Sequence, residues 1–184
     1  IEALEQVNRG VPAGLNGFLE FLEKTDPWQY HRKYYLRSLG IDPEEKYMLN
    51  SAARWDNKPF ASHQLKEFTS DRTKTFMSKE FIYANGRLEK KMFFEHSLSR
   101  LELRAKGTRA GNSYPYLVVS LDGKVIDALY IDSLEYVKFF SILKTEPGEH
   151  ILGLEFINDY AGGMPRQDRN IWLDRLELTA SLDQ

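Results

Sequence analysis

The chain has 184 residues and a formal charge of −2; it is 42% hydrophobic and 28% charged, an ordinary globular composition that suits one medium domain or a small domain with an appendage. No apolar run approaches the roughly 18–20 residues of a membrane span, and the near-neutral charge offers no basic field to phosphates, so neither membrane insertion nor a nucleic-acid partner is expected. The absence of cysteine excludes thiolate zinc sites, disulfide frameworks and cysteine nucleophiles. Starting at Ile1 with no initiator methionine and no signal-peptide pattern, the chain reads as a fragment or mature piece of something longer, whose other domains are candidate partners.

The first elements read as helical. Leu15, Phe18, Leu19 and Leu22 recur at spacings of three and four, which predicts an amphipathic helix over 13–24. Asp26-Pro27 is a cap followed by a favoured first helical residue, and opens a second helix with Trp28, Tyr34, Tyr35 and Leu39, which Gly40 can end. Asp42-Pro43 repeats that signal for a third helix, with Tyr47, Met48 and Ala52 as its apolar residues. Three short helices make too little joint area for a core, so residues 1–56 are expected to be a segment that depends on the rest of the chain.

From about Phe60 the pattern alternates. Residues 76–83 and 88–94 are predicted as a hairpin about Asn85-Gly86, and Leu101, Leu103 and Ala105 alternate with charged residues in a half-buried strand. Strands continue over 116–121 and 125–131 around the Asp122-Gly123 turn, then over 136–143, 149–156 and 171–178. Short strands with turn residues between them indicate a sandwich or barrel over residues 57–184, of which an antiparallel β-sandwich of jelly-roll type is the expected form.

Two loops hold candidate chemistry. Residues 107–115 (GTRAGNSYP) carry Tyr114, and residues 158–170 (NDYAGGMPRQDRN) carry Asn158, Asp159, Tyr160, Asp168, Arg169 and Asn170 around Gly162-Gly163. Calcium takes six to eight oxygens in flexible geometry, which two acids on a glycine-hinged loop can help supply. Asp and Asn are also turn formers that hydrogen-bond their own backbone, and composition leaves both readings open.

From Leu101 to Leu178 the motifs LELRAKGT, YLVVSLDGKVI, GEHILGLEFINDY and DRNIWLDRLEL occur in order, and this stretch resembles the calcium-dependent xylan-binding type of carbohydrate-binding module. The FxNDY and DRNxxxD portions are the most specific, while Met164-Pro165-Arg166 departs from the pattern. The resemblance implies a non-catalytic β-sandwich that binds a polysaccharide or oligosaccharide through a calcium ion at a loop edge, outside the cell, at its surface or in the periplasm. It implies Asp159 and Asp168 as metal ligands. Beside them, Asn158, Tyr160, Arg169, Asn170 and Tyr114 are the candidate sugar contacts, with Arg169 alternatively paired to Asp168. Tyr116 is read as structural or sugar-facing, and Trp172 as a core residue or a flat sugar platform.

Two other readings stand beside this one. The chain reads alternatively as a structural or protein-interaction sandwich on a helical-repeat tail, or as a glycosidase using acids such as Glu102, Glu155 and Glu177, although acids alternating with apolar residues usually form a solvated face. The four histidines show no HExxH spacing and are expected at surface or boundary positions.

Overall fold

The computed structural model describes residues 34–70, 77–78, 80–111 and 113–183; the helix expected over 13–24 and the start of the second, with Trp28, lie outside them. Residues 34–38 are helical. Gly40, at φ 75°, turns the chain after them, and Ile41 N returns to the Leu36 carbonyl at 2.9 Å.

Helix α1 (Pro43–Ala52) starts as the sequence signals: the Asp42 carboxylate accepts from Glu44 N at 3.0 Å, and proline occupies the first turn. Its expected apolar residues point the other way, with Tyr47 and Met48 70% and 67% exposed. The covered face is Pro43 with half-buried Lys46, Leu49 and Asn50. The reason is what the helix packs on: an edge strand with polar backbone to satisfy, where Lys46 Nζ donates to the Ile142 carbonyl at 2.7 Å.

The strands come in the order β1 (Ala61–His63), β2 (Thr69–Ser70), β3 (Met77–Ser78), β4 (Phe81–Ile82), β5 (Gly86–Phe94), β6 (Leu98–Gly107), β7 (Tyr116–Leu121), β8 (Lys124–Tyr130), β9 (Val137–Lys144), β10 (Gly148–Phe156), β11 (Ala161–Gly162), β12 (Gln167–Asp168) and β13 (Ile171–Ala180). One sheet runs β3-β4-β13-β6-β9 with β1 also on β13, the other runs β2-β5-β10-β7-β8, and β11-β12 form a small ribbon. All the pairings are antiparallel, and the fold is the expected β-sandwich.

The Asp122-Gly123 turn joins β7 to β8 with both residues at positive φ, 51° and 81°, the geometry that matches hairpin twist. The hairpin expected about Asn85-Gly86 is not formed. There β4 belongs to one sheet and β5 to the other, so the chain crosses between layers. Ile82 and Leu88 thereby reach the same core from opposite sides, and burying both outweighs a local turn preference.

Alternation along β6 places Leu101, Leu103 and Ala105 in the main core with Leu152, Leu154, Phe156, Leu173, Leu176 and Leu178. Strand β7 is buried at every position. Its inward residues Leu117 and Val119 join the main core, while the outward Tyr116 and Val118 join a second cluster with Ala128, Tyr130, Tyr35 and Leu36. The helical residues before α1 therefore roof the outer face of β7–β8. Trp172 lies on the outer face of the other sheet, its ring stacked on Phe81 at 4.8 Å, with Lys106 Nζ 5.4 Å from its centroid. Trp172 is half-buried there, outside the core cluster.

Candidate functional site

The 157–170 loop leaves β10 in one sheet and enters β13 in the other, so it spans the sandwich at one end. Its own ribbon pairs Ala161 with Asp168 and Gly162 with Gln167, and Gly163 at φ 87° lets it turn. Arg169 N returns to the Tyr160 carbonyl at 2.9 Å.

The 108–115 loop is fastened to it. Thr108 N donates to the Asn170 carbonyl at 3.1 Å, while Thr108 Oγ1 accepts from Asn170 N at 3.0 Å and donates to the Asp168 carbonyl at 2.7 Å. Gly111 N donates to Gln167 Oε1 at 2.9 Å. Arg169 lies beneath both loops, 0% exposed, and its guanidinium donates to the carbonyls of Ser113 at 3.0 Å, Asn158 at 2.5 Å and Ala110 at 2.5 Å. A planar fork with five donors suits this convergence of carbonyls. Asn158 is also buried: its Oδ1 accepts from Tyr116 N at 2.7 Å and its Nδ2 donates to the Tyr114 carbonyl at 3.0 Å.

Of the expected sugar contacts, Arg169 and Asn158 are thus placed as the frame beneath the loops, because their polar atoms satisfy loop backbone that would otherwise be buried unpaired. Tyr116, 1% exposed, packs on Tyr130 and is structural. Tyr160 remains 39% exposed, with its ring 5.5 Å from the Arg169 guanidinium carbon. Tyr114 is half-buried, edge-on to Tyr130 at 6.0 Å.

Asp159, Asp168 and Asn170 have a different character. Asp168 is exposed, and Asp159 is half-buried with its backbone N held by Asn85 Oδ1 at 2.7 Å. Burial, then the nearby Asp168 charge, raises the Asp159 carboxyl above its ordinary 3.8, against a lowering hydrogen bond from the Tyr160 backbone and the charge of Arg169. Asp159 Oδ1 and Asn170 Oδ1 are buried oxygens without a hydrogen-bond partner. The loop thus holds two orphaned acceptor oxygens and two carboxylates whose charges oppose each other, all of them the hard oxygens that calcium takes. Among the described residues no group of three or more His, Asp or Glu side chains gathers as a metal cluster, so backbone carbonyls or water would have to complete the coordination.

The acids proposed for glycosidase chemistry are arranged otherwise. Glu102 and Glu177 lie opposite each other across β6 and β13, each beside a cation: Lys138 Nζ is 2.9 Å from Glu102 and Arg175 Nε 3.5 Å from Glu177.

No curated protein matches the chain. Among solved structures, the CBM36-1 domain of a multidomain xylanase from the hindgut metagenome of Trinervitermes trinervoides superposes with a TM-score of 0.50 at 12% identity, covering 64% of this chain and 94% of that one. A carbohydrate-binding module, CBM36, in complex with calcium and xylotriose aligns at 12% identity and a TM-score of 0.47, over 65% of this chain and 99% of that one. At such identity the likeness to the first is one of fold. Residues 100–183, from β6 to the end of β13 and beyond, match the family described as Ca-dependent carbohydrate-binding module, xylan-binding, the family that the motifs of this stretch resemble.

Proposed function

We propose that this chain is a non-catalytic module that binds a polysaccharide of the xylan class through a calcium ion at the 157–170 loop. The observation that carries the reading is the buried Asp159 Oδ1, which has no hydrogen-bond partner and whose carboxyl feels the Asp168 charge. A cation would satisfy that oxygen and relieve the repulsion together.

Asp159 and Asp168 would hold the ion, and Asn170 Oδ1 is a further candidate ligand. The chemistry the ion supplies when bound is an oxygen-seeking cation at which two adjacent sugar hydroxyls can replace water. The chain's own groups prepare the place. Arg169 fixes both loops through three carbonyls, and Tyr160 offers a ring face and hydroxyl at the rim, with Tyr114 behind it. No reaction is assigned: Glu102 and Glu177 each lie beside a cation on their sheet. Among the described residues no helix is long and apolar enough to cross a membrane. The proposed setting is outside the cell, where weak calcium modules, with dissociation constants of about 10⁻⁴–10⁻³ M, are filled.

The test is calorimetric titration of calcium, then of xylohexaose, into the parent, Asp159→Ala, Asp168→Ala and Asp174→Ala. Asp174 is ion-paired with Arg104, away from the loop, and serves as the control. Calcium affinity is expected to fall at least about tenfold for the first two and to persist in the third, with sugar binding tracking calcium. Parent-like binding by both loop variants would refute the site.

A further inference from the structure

A second recess lies where α1 crosses the sandwich edge. Lys46, Tyr47 and Asn50 of the helix oppose Asp132, just past β8, and Phe140 of β9 across a cleft of about 420 Å³. That size falls within the range of about 300–1,000 Å³ typical of small-ligand sites. Asp127 lines it from β8, buried, its carboxylate accepting from Ser141 Oγ at 2.6 Å and Ala128 N at 2.8 Å. The cleft shares no residue with the 107–115 or 157–170 loops.

The groups around this cleft divide by what they have left to offer. Lys46 Nζ donates to the Ile142 carbonyl at 2.7 Å, and Lys138 Nζ lies 2.9 Å from Glu102. Both cations are engaged, which disfavours an anionic ligand. Asn50 Oδ1 is buried without a hydrogen-bond partner, and the Asp132 carboxylate is half-buried. Beside these acceptors, Phe140 and Tyr47 are 40% and 70% exposed, and the Phe140 ring is held by the Arg100 guanidinium 5.0 Å from its centroid. A complementary ligand donates hydrogen bonds to two acceptors and lays an apolar face on an aromatic ring. A neutral pyranose does both, its hydroxyls meeting Asp132 and, with the Asn50 amide turned into the cleft, Asn50 Oδ1, and its C–H face meeting the ring.

The geometry points to a second, calcium-independent subsite in this cleft for a neutral sugar unit of a glycan chain. It stands whether or not the loop binds calcium, so the two readings fail separately.

The experiment tracks amide signals of the full chain by NMR in excess chelator while xylohexaose, and in a parallel arm cellohexaose, is added. Saturable shifts are expected at Asn50, Asp132 and Phe140 with at least one of the two, weakened at least tenfold in Phe140→Ala and Asn50→Ala and retained in Phe140→Tyr and Asp159→Ala. Phe140→Tyr, which keeps the ring, separates lost binding from lost folding. The proposal is overturned if neither oligosaccharide shifts these signals, if the shifts survive Phe140→Ala, if chelator abolishes them, or if butylammonium chloride produces them where the sugars do not.

Discussion

His150 closes the β7–β8 turn onto β10: its Nδ1 lies 2.5 Å from Asp122 Oδ2 while its Nε2 faces the Glu146 carbonyl at 2.7 Å. An acceptor at each ring nitrogen favours the doubly protonated imidazolium. Asp122, chiefly through its hydrogen bond, raises His150 above 6.5, and His150 in turn lowers Asp122 below 3.8.

The stability from this pair is therefore bounded on both sides. The His150 contribution is complete below its ordinary 6.5 and is lost as pH rises through the raised value; that of Asp122 is present above 3.8 and is lost as pH falls through the lowered one. Asp122→Asn keeps a residue that tolerates the turn's φ of 51°. The melting-temperature gap between parent and variant should be widest near about pH 5 and narrow as pH rises past the His150 value. A gap that stays constant across that rise would show the pair does not titrate as described.

Arg169→Lys should cost about 2–4 kcal/mol by urea denaturation, because one ammonium cannot reach the carbonyls the guanidinium fork satisfies and leaves buried acceptors unpaired. A cost under about 1 kcal/mol would mean that these carbonyls find other partners.

Chelation tests the loop without mutation. For a dissociation constant of about 10⁻⁴–10⁻³ M, calcium at about 100-fold excess stabilises by roughly 2.7 kcal/mol. A calcium-loaded sample should melt lower after chelator is added, whereas Asp159→Ala should melt alike with and without it. An identical parent curve in both states, with loading verified first, would count against an ion at the orphaned oxygens.

Leu36→Ala should cost about 2–4 kcal/mol in thermal or chemical unfolding, since Leu36 is 0% exposed in the cluster with Tyr116 and Tyr130. The same packing leads us to expect that residues 1–56 alone show no cooperative melt; a sharp transition in that fragment would make it a domain in its own right.

Much of the sandwich was legible because each strand pattern reports a local rule. Leu101, Leu103 and Ala105 alternate, and Asp122-Gly123 supplies its own positive φ. Where the outcome depended on distant partners, the pattern misled. Asn85-Gly86 looks like a hairpin, yet Ile82 and Leu88 serve different sheets, and Tyr47 and Met48 look like a buried stripe on a helix that turns Lys46 inward. In the loop, the oxygen-rich composition of Asp159, Asp168 and Asn170 was visible. That Arg169 and Asn158 lie under the loops was not, because their partners are carbonyls and amides, which every residue carries. The unbroken apolar stretch from Tyr116 to Val119 in β7 was a sign that something covers its outer face.

The position of α1 also protects the molecule from itself. Strands β8 and β9 each terminate a sheet, and an edge strand presents unpaired backbone groups on which a second copy can pair and propagate. Lys46 occupies the Ile142 carbonyl, and Glu45 holds Lys144 at 2.7 Å, so the helix lies against β9 as a cover fixed by charge. A chain stripped of α1 would uncover that edge and should aggregate through β9 even while its core remains folded.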